Sequence, residues 1–510
     1  MKQKRLNRLA VGLRIGLVLV LIALQIFLVV LLVDLIAERA LLLYFFIQFI
    51  AVVDIFILAS RRQNISYTIA WVLLILLLPV TGHLLYILWG RRRKHRSVRR
   101  AIARTADKLQ KDPAIYQTLG ATHPERKRLG GYLGRMGFPI YQNTNCTYYP
   151  VGELQFRAML DDIASAKHFI FLEYFILGAG QLWDEFRTAL AQKAAEGVEI
   201  RVMYDDLGSL LTLPRDFEAD LKKLGIEVIC FNPIHHSVSR LYVNYRDHRK
   251  ICVIDGEIAY TGGTNLADEY ANYTDRLGHW KDTAIRLTGD AVWSKTVFFL
   301  QLWEAQSGTE QDFDAYRRQH PDIESTPAGF FQPFADGPMN NPDNPAEIIY
   351  RSVIHNAREY LYIMTPYLVI DSSMLDALTT AALGGVDVRI ITPYIWDKWY
   401  MKMVTHSNFG PLLRAGVRIY EYTPGYLHAK TILSDDDHAV TGSINMDYRS
   451  FYLSYENGVW ICGAPVLADI KADFLDTIAK SKEIQPEDWK RTPLYYRILQ
   501  GLLRVFASFL

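Results

Sequence analysis

Apolar residues follow two different patterns along the chain. In the first 90 positions they form three long runs, residues 15–33, 41–59 and 65–89. The first holds 19 residues without a charge, enough to cross a bilayer core as a helix. Asp34, Glu38 and Arg39 follow it in place of a small-residue cleavage site, which argues against a removable signal peptide. The second run is interrupted only by Gln48 and Asp54, and the third carries Pro79 and Gly82 at its middle. A carboxylate inside an apolar run is costly, so Asp54 is expected to face protein or the interface.

Beyond residue 100 the period changes. Residues 101–140 read as a polar helix and a Gly-rich connector (LGGYLGRMG) whose glycines lack the G-x-G-x-x-G spacing of a nucleotide loop. From about Asn145, short β-branched and aromatic runs alternate with helical patterns, and the order occurs twice. The first pass is LQFRAMLDDIASA, HFIFLEYFI, LWDEFRTALAQKAAEG, VEIRVMYDD, FEADLKKLG, IEVICF and HRKICVID. The second is IIYRSVIHNA, EYLYIMTPYL, MLDALTTAALGG, VDVRIITPY, FGPLLRAG, VRIYEY and HAKTILSD. Such alternation predicts βαβ units with mainly parallel sheets, and the repetition predicts a duplicated α/β domain. The expected organisation is a membrane anchor at 1–90, a basic and polar connector at 91–144, one half at 145–325, a second at 326–475 and an amphipathic tail at 476–510.

Charge sharpens the division. The chain carries 56 Lys+Arg and 54 Asp+Glu, of which 15 and 3 fall in the first 100 residues, leaving 41 and 51 beyond them, a net −10. So acidic a soluble part argues against nucleic-acid binding, which draws most of its affinity from phosphate neutralisation. The basic head instead speaks to membrane topology. Lys2, Lys4, Arg5 and Arg8, then Arg61 and Arg62, then Arg91, Arg92, Arg93, Lys94 and Arg96 flank the runs, and all three clusters are expected in the cytoplasm. Two spans followed by a re-entrant segment broken at Pro79 and Gly82 satisfy this; three plain spans are the alternative. Cys146, Cys230, Cys252 and Cys462 are scattered, so neither a zinc site nor a disulfide framework is expected.

The repeat reaches the residues that carry chemistry. HRKICVID at 248–255 recurs as HAKTILSD at 428–435, and TGGTN at 261–265 recurs as TGSIN at 441–445, each 180 positions on. An imidazole can attack phosphorus or move protons near neutral pH. A lysine two residues further along a strand projects to the same face, where its ammonium can hold a phosphate oxygen. Asn265 and Asn445 offer amide donors to the same oxygens. One half supplies one histidine; two facing halves supply the nucleophile and the acid–base partner that phosphodiester exchange needs.

The paired H-x-K-x4-D motifs, each followed by G-[GS]-x-N, resemble those of the phospholipase D superfamily. AWVLLILLLPVTGHLLYILWGRR, GGTNLADEY, HWKDT, TPYL, GSINMDYRS and the closing WKRTPLYYRI and LLRVF resemble, more narrowly, its bacterial cardiolipin synthases, over nearly the full length. The resemblance implies a duplicated phospholipase D-type α/β sandwich, with mixed, mainly parallel sheets, behind N-terminal transmembrane helices. It implies His248, Lys250 and Asp255 with His428, Lys430 and Asp435 as the catalytic motif residues, the two aspartates reading as structural, and Asn265 and Asn445 as substrate-binding. Each histidine is expected to lean on a carboxylate, Asp282 for His248 and Glu456 for His428. LSYE stands where relatives commonly read LNYE, and Ser454 is expected outside the chemistry.

The implied reaction is attack of one phosphatidylglycerol by a histidine, release of glycerol, and displacement of the phosphatidyl group by the primary hydroxyl of a second phosphatidylglycerol. His248 is expected as nucleophile and His428 as acid, then base, with no cofactor and no metal. The implied setting is the plasma membrane of a bacterium, multi-pass, catalytic domain inside, with phosphatidylglycerol and cardiolipin as lipid partners and no nucleic acid. The same site could serve a phospholipase D that uses water, or a phosphatidyltransferase with another alcohol.

Weaker signals remain. His235 and His236 lack acidic or cysteine partners at ligand spacing and read as loop. Residues 394–403 (YIWDKWYMKM) interleave aromatics with lysines and read as a core or lid helix rather than an interfacial surface. The tail YYRILQGLLRVFASFL is amphipathic and expected on the bilayer.

Overall fold

The computed structural model describes residues 20–30, 37–61, 64–90, 95–234, 244–318, 329–341 and 343–509. It divides into two compact units: Met1–Arg93 with Ile234–Asn244 and Val505–Leu510, and Lys94–Pro233 with Tyr245–Arg504.

In the first unit the apolar runs become helices. Residues 20–30 are helical within the first run, and Ala37–Ala59 covers the second. The third run is split into Ile65–Leu77 and Pro79–Leu85, followed by a wider turn at Tyr86–Gly90. Asn64 caps the start, its side chain accepting from Ser66 and Tyr67 N–H. The split falls at Leu78, which leaves the helical region (φ −131°, ψ 74°). Proline disfavours helical geometry in the residue before it and tolerates the first helical position itself. Asp54 finds the partner that the sequence pattern did not name: its carboxylate meets the His83 ring. Among the described residues no helix is long and apolar enough to cross a membrane. Positions 15–19 and 31–33 of the first run, most of the basic clusters, and His235 with His236 lie outside the described residues.

The second unit holds two sheets, one per sequence repeat. The first half contributes β1 (Thr144–Tyr149), β2 (Phe169–Tyr174), β3 (Glu199–Asp205), β4 (Glu227–Phe231), β5 (Lys250–Ile254), β6 (Ile258–Gly262) and β7 (Ala284–Gly289). The second contributes β8 (Phe330–Asp336), β9 (Tyr360–Met364), β10 (Leu368–Val369), β11 (Asp387–Pro393), β12 (Arg418–Tyr422), β13 (Thr431–Ser434), β14 (His438–Gly442), β15 (Met446–Asp447), β16 (Glu456–Cys462) and β17 (Ser481–Glu483). Their orders are β1-β7-β6-β5-β2-β3-β4 and β17-β12-β11-β9-β13-β14-β16-β8, with β10 and β15 as a separate pair. Removing β17, the two orders superimpose strand for strand, so the duplication is one of topology. The second sheet runs past residue 475 to take in β17, which pairs antiparallel with β12.

The sheets are mixed, but the expectation that they are mainly parallel is corrected. Only β2–β3, β3–β4, β9–β11 and β11–β12 run parallel; every other ladder in the two sheets is antiparallel. The helical crossovers that enforce parallel pairing join only three strands per half. Each motif strand then returns antiparallel to β2 or β9 and turns straight back as a hairpin.

Central strand β2 is buried along its whole length because both faces are covered. On one face Phe171 stacks on Phe299, ring centroids 4.6 Å apart, from the nearly wholly buried helix Val292–Ser307. On the other, Ile170 and Leu172 pack with Phe156, Trp183 and Phe186. The Gly-rich stretch read as a connector is instead the helix Lys127–Arg135. A side chain at Gly130 would meet Leu119 Cδ2 at 2.7 Å, so glycine is what lets this helix close on its neighbour Pro113–Thr122. That packing offsets glycine's cost inside a helix.

Candidate active site

Each motif strand ends in the same tight turn. Asp255 and Gly256 have φ of 54° and 69°, Asp435 and Asp436 57° and 54°. Glu257 N–H donates to Ile254 C=O (3.0 Å), and Asp437 N–H to Ser434 C=O (3.1 Å), closing turns whose twist matches that of the flanking strands. Aspartate tolerates the left-handed conformation that such a turn demands. The freed carboxylates then face the chain entering β2 and β9. Lys167, His168 and Phe169 N–H donate to Asp255 at 2.7, 2.7 and 2.8 Å. Arg358, Glu359 and Tyr360 N–H donate to Asp435 at 3.0, 2.9 and 3.0 Å.

The motif aspartates therefore anchor strand starts, about 20 Å of extended chain from their histidines. Their place in a catalytic set is corrected on that ground. Replacing Asp255 with alanine strands three backbone donors, and is expected to cost about 3 kcal/mol of unfolding free energy. A denaturant titration in micelles checks it, with the midpoint falling well below the wild-type value.

At the other end of each motif strand the halves exchange partners. The segment before His248 pairs with the segment before Glu456: Tyr455 N–H donates to Arg246 C=O (2.8 Å) and His248 N–H to Tyr455 C=O (2.9 Å). The segment before His428 pairs with the one before Asp282: Lys281 N–H donates to Tyr426 C=O (2.9 Å) and His428 N–H to Lys281 C=O (2.7 Å). Each histidine thus lies beside the other half's carboxylate. His248 Nδ1 is 2.9 Å from Glu456 Oε1, and His428 Nδ1 is 2.6 Å from Asp282 Oδ2. The expectation that Asp282 serves His248 and Glu456 serves His428 is corrected: the pairs are crossed.

The lysines fold back beneath the rings. Lys250 Nζ donates to His248 C=O (2.5 Å) and lies 5.5 Å from the Phe175 ring centroid. Lys430 Nζ contacts His428 C=O and sits 2.7 Å from its Nδ1. Both lysines, both carboxylates and His428 are buried, whereas the His248 side chain keeps 13% of its exposure and His428 8%. Phe175 packs on His248, ring centroids 5.1 Å apart, and Tyr270, Trp280 and Tyr426 surround His428 at 5.4 to 5.7 Å.

Burial acts on both lysines, both histidines and Glu456. Desolvation, with repulsion from Lys430, lowers Lys250 to about 7 against the pull of Glu456, and desolvation lowers Lys430 to about 8 against Asp282 and Glu456. Desolvation pushes Glu456 well up, opposed by Lys250 and the Ser443 hydroxyl. His428 falls to about 4 through desolvation and Lys430, with Asp282 holding it up. His248 is pushed well below its usual range by desolvation and then by Lys250, Lys430, His428 and Arg449. Burial and the neighbouring lysines thus push both imidazoles toward their neutral form.

The asparagines are buried within the supporting loops. Asn265 Oδ1 accepts from Ile176 N–H (3.1 Å) and its Nδ2 donates to the Tyr270 hydroxyl (2.7 Å), so its amide is engaged rather than waiting for a ligand. Asn445 N–H donates to Ser450 Oγ (3.2 Å). Ser454 donates its N–H to Arg449 C=O.

Two residues went unread in the sequence. Ser443 donates its hydroxyl to Glu456, and it is where the repeat breaks: the matching Gly263 has no room for a side chain against Asp282. The TGGTN/TGSIN difference was the available signal. His95 Nδ1 lies 2.9 Å from the Tyr455 hydroxyl, buttressing the strand segment that clamps His248, and nothing in the sequence marked it.

A family model described as "Cardiolipin synthase, PLD-like domain" matches residues 159–276 and 350–478, and one described as "Phospholipase_D-nuclease N-terminal" matches 42–91. An uncharacterised protein of Streptococcus mutans is 40% identical over 89% of this chain and 99% of its own. Cardiolipin synthase 2 of Bacillus cereus is 34% identical over 88% of both chains. The major cardiolipin synthase of Bacillus subtilis is 34% identical over 89% of this chain and 96% of its own. A phosphatidylserine synthase from Haemophilus influenzae shares the fold, with a TM-score of 0.57 over 76% of this chain and 98% of that one at 16% identity. Matched in both halves by the domain model and along nearly nine-tenths of its length by these synthases, the chain belongs to the bacterial cardiolipin synthases of the phospholipase D superfamily, a family of phosphatidyltransferases.

Proposed function

We propose that the chain makes cardiolipin from two phosphatidylglycerols through a phosphatidyl-histidine at His248. The observation that carries this is the crossed pairing, in which a carboxylate engages Nδ1 of each histidine and leaves Nε2 for the chemistry. His248 Nε2 attacks phosphorus, the bond from phosphorus to the headgroup glycerol oxygen breaks, and His428 gives that oxygen its proton. His428 then takes a proton from the primary hydroxyl of the second phosphatidylglycerol. That oxygen attacks phosphorus, and the phosphorus–nitrogen bond breaks. Lys250 and Lys430 neutralise the phosphodiester. Its negative charge in turn raises the proton affinity of His428, the histidine that Asp282 already supports. Glu456 and Asp282 fix tautomer and ring orientation; Asn265 braces a loop that borders the site, and Asn445 is the substrate-binding amide of the other half.

Two groups of observations support the setting. The helical apolar segments, the N-terminal family match and the basic clusters support an enzyme anchored in the bacterial plasma membrane with its catalytic unit inside. The helix Leu494–Val505 exposes Leu494, Tyr495, Ile498 and Leu502, which supports a tail lying on the bilayer. The boundaries at 90, 144 and 325 and the absence of a nucleic-acid partner belong to the same reading, while the second half extends beyond the expected boundary at 475 to take in β17.

Mixed micelles of phosphatidylglycerol with the purified full-length chain test it. Cardiolipin with equimolar free glycerol is expected; phosphatidate alone would replace the reading with a hydrolase.

The lysine shifts set a pH dependence. An ammonium binds the phosphodiester only while protonated, and the folded protein lowers Lys250 to about 7 and Lys430 to about 8. Apparent affinity for the lipid is therefore expected to fall as pH rises through that window. A tenfold rise in KM per pH unit above it, measured in micelles of fixed composition, is the limiting slope for one titrating lysine.

A further inference from the structure

The loops that follow β3 and β11 occupy equivalent places in the two halves, at the carboxyl ends of the parallel strands. Both carry a large apolar side chain out into solvent: Leu211 is 69% exposed and Trp399 63%, with Tyr394 at 47%. Residues 394–403, expected as a core or lid helix, are helical only from Trp399 onward. Met401 and Met403 turn inward, while Tyr394, Lys398 and Trp399 face out. Lys402 Nζ lies 6.0 Å from the Tyr394 ring centroid, so the outward face interleaves aromatic and basic groups.

Each tip is tied to the histidine of its own half. Ser209 donates its hydroxyl to Phe175 C=O (3.2 Å) and accepts from Leu177 N–H (3.0 Å), and the Phe175 ring packs on His248. Lys398 Nζ donates to the Tyr367 hydroxyl (3.3 Å), which donates to Asp397 (2.7 Å) and accepts from Tyr426 (3.0 Å), whose ring lies 5.7 Å from that of His428.

We propose that the Leu211 tip and the outward face of residues 394–402 form a lip that enters an anionic lipid surface and places the headgroup level of the bilayer at the two histidines. The proposal rests on the phosphatidyl-transfer reading above. A lipid's phosphodiester reaches a site this buried only if the mouth lies at headgroup depth, because its acyl chains stay in hydrocarbon. Tryptophan and tyrosine settle at that depth, with an apolar body and a polar edge. Lys402 adds attraction to anionic headgroups, and Lys398 does so net of its neighbour Asp397 at 3.5 Å. Exposed apolar side chains placed on both halves, at the same end as the chemistry, are arranged for a surface.

The full-length chain, reconstituted in vesicles of phosphatidylglycerol and phosphatidylcholine, is compared with the same chain acting on dispersed short-chain phosphatidylglycerol. Trp399→Ala combined with Leu211→Ser is expected to lower the vesicle rate roughly tenfold or more, as loss of two exposed apolar side chains that would enter the lipid implies. The rate on dispersed substrate should stay within about twofold. Equal loss on both substrates, or no loss on either, overturns the lip, including the case in which these tips bind a protein instead. Brominated lipids give a second readout that does not depend on turnover. Trp399→Phe should remove part of the quenchable tryptophan fluorescence, and an unchanged quenching fraction overturns the lip. A wild-type chain that makes no cardiolipin from either substrate strikes the function reading, and the quenching still decides whether these residues meet lipid.

Discussion

Replacing His248 with asparagine is expected to lower cardiolipin formation by about 10⁴-fold or more and to abolish the phosphatidyl-enzyme, because it removes the nucleophile of the proposed reaction. Replacing His428 should be as damaging with phosphatidylglycerol, since the departing glycerol oxygen then leaves without a proton. The two variants part with a substrate whose leaving group needs no acid, such as a phosphatidyl ester of p-nitrophenol. His428→Asn should release one equivalent of nitrophenolate and then stall, since the base that activates the second alcohol is missing. His248→Asn should release none. Labelled lipid recovered on the protein after alkaline denaturation gives the direct count. A His248→Asn chain that still carries label, or a His428→Asn chain that never does, would reverse the assignment. The surroundings of the two rings differ: Asp282 and Lys430 both stand at His428 Nδ1, whereas Glu456 alone engages His248 Nδ1 and Lys250 bonds the backbone beneath it.

Much of this site was legible before any coordinates, for a reason that lies in the duplication. A lone H-x-K on a strand is weak evidence, but two of them at one offset from two G-x-x-N sequences are not explained by chance. The HRKICVID and HAKTILSD patterns placed β5 and β13 on strands, and both are buried at every position. What periodicity does not encode is strand direction, so the dominance of antiparallel ladders escaped it. One signal was passed over: Asp255-Gly256 is a strong hairpin signature, and reading it would have turned β5 straight back into β6. The glycines of LGGYLGRMG misled in the opposite sense, because Gly130 and Gly134 serve close helix packing and not chain flexibility. Most consequentially, a carboxylate downstream of a histidine in sequence is naturally assigned to it. Which half lends which carboxylate depends on how two sheets meet, and neither repeat contains that information.

Neutralising the two carboxylates one at a time exposes the crossing. Glu456→Gln keeps the size of the side chain but can turn an amide donor toward His248 Nδ1. That stabilises the tautomer with the proton on Nε2, the atom that must attack. Losses of this kind run to about 10²–10⁴ in turnover. With the nitrophenyl ester, Glu456→Gln should therefore behave like the His248 variant, slow to label and slow to release nitrophenolate. Asp282→Asn should behave like the His428 variant, releasing one equivalent and stalling with the label in place. Pairing within each half predicts the opposite outcome for both substitutions, so the assay separates the two arrangements. Ser443→Ala offers a graded version: Glu456 loses the hydroxyl donated to it, and the effect should fall on labelling and not on release of the label. The crossing also explains why two copies of one motif stay in register on a single chain. Each half holds its own histidine and lysine, yet neither can orient that histidine without the carboxylate of the other.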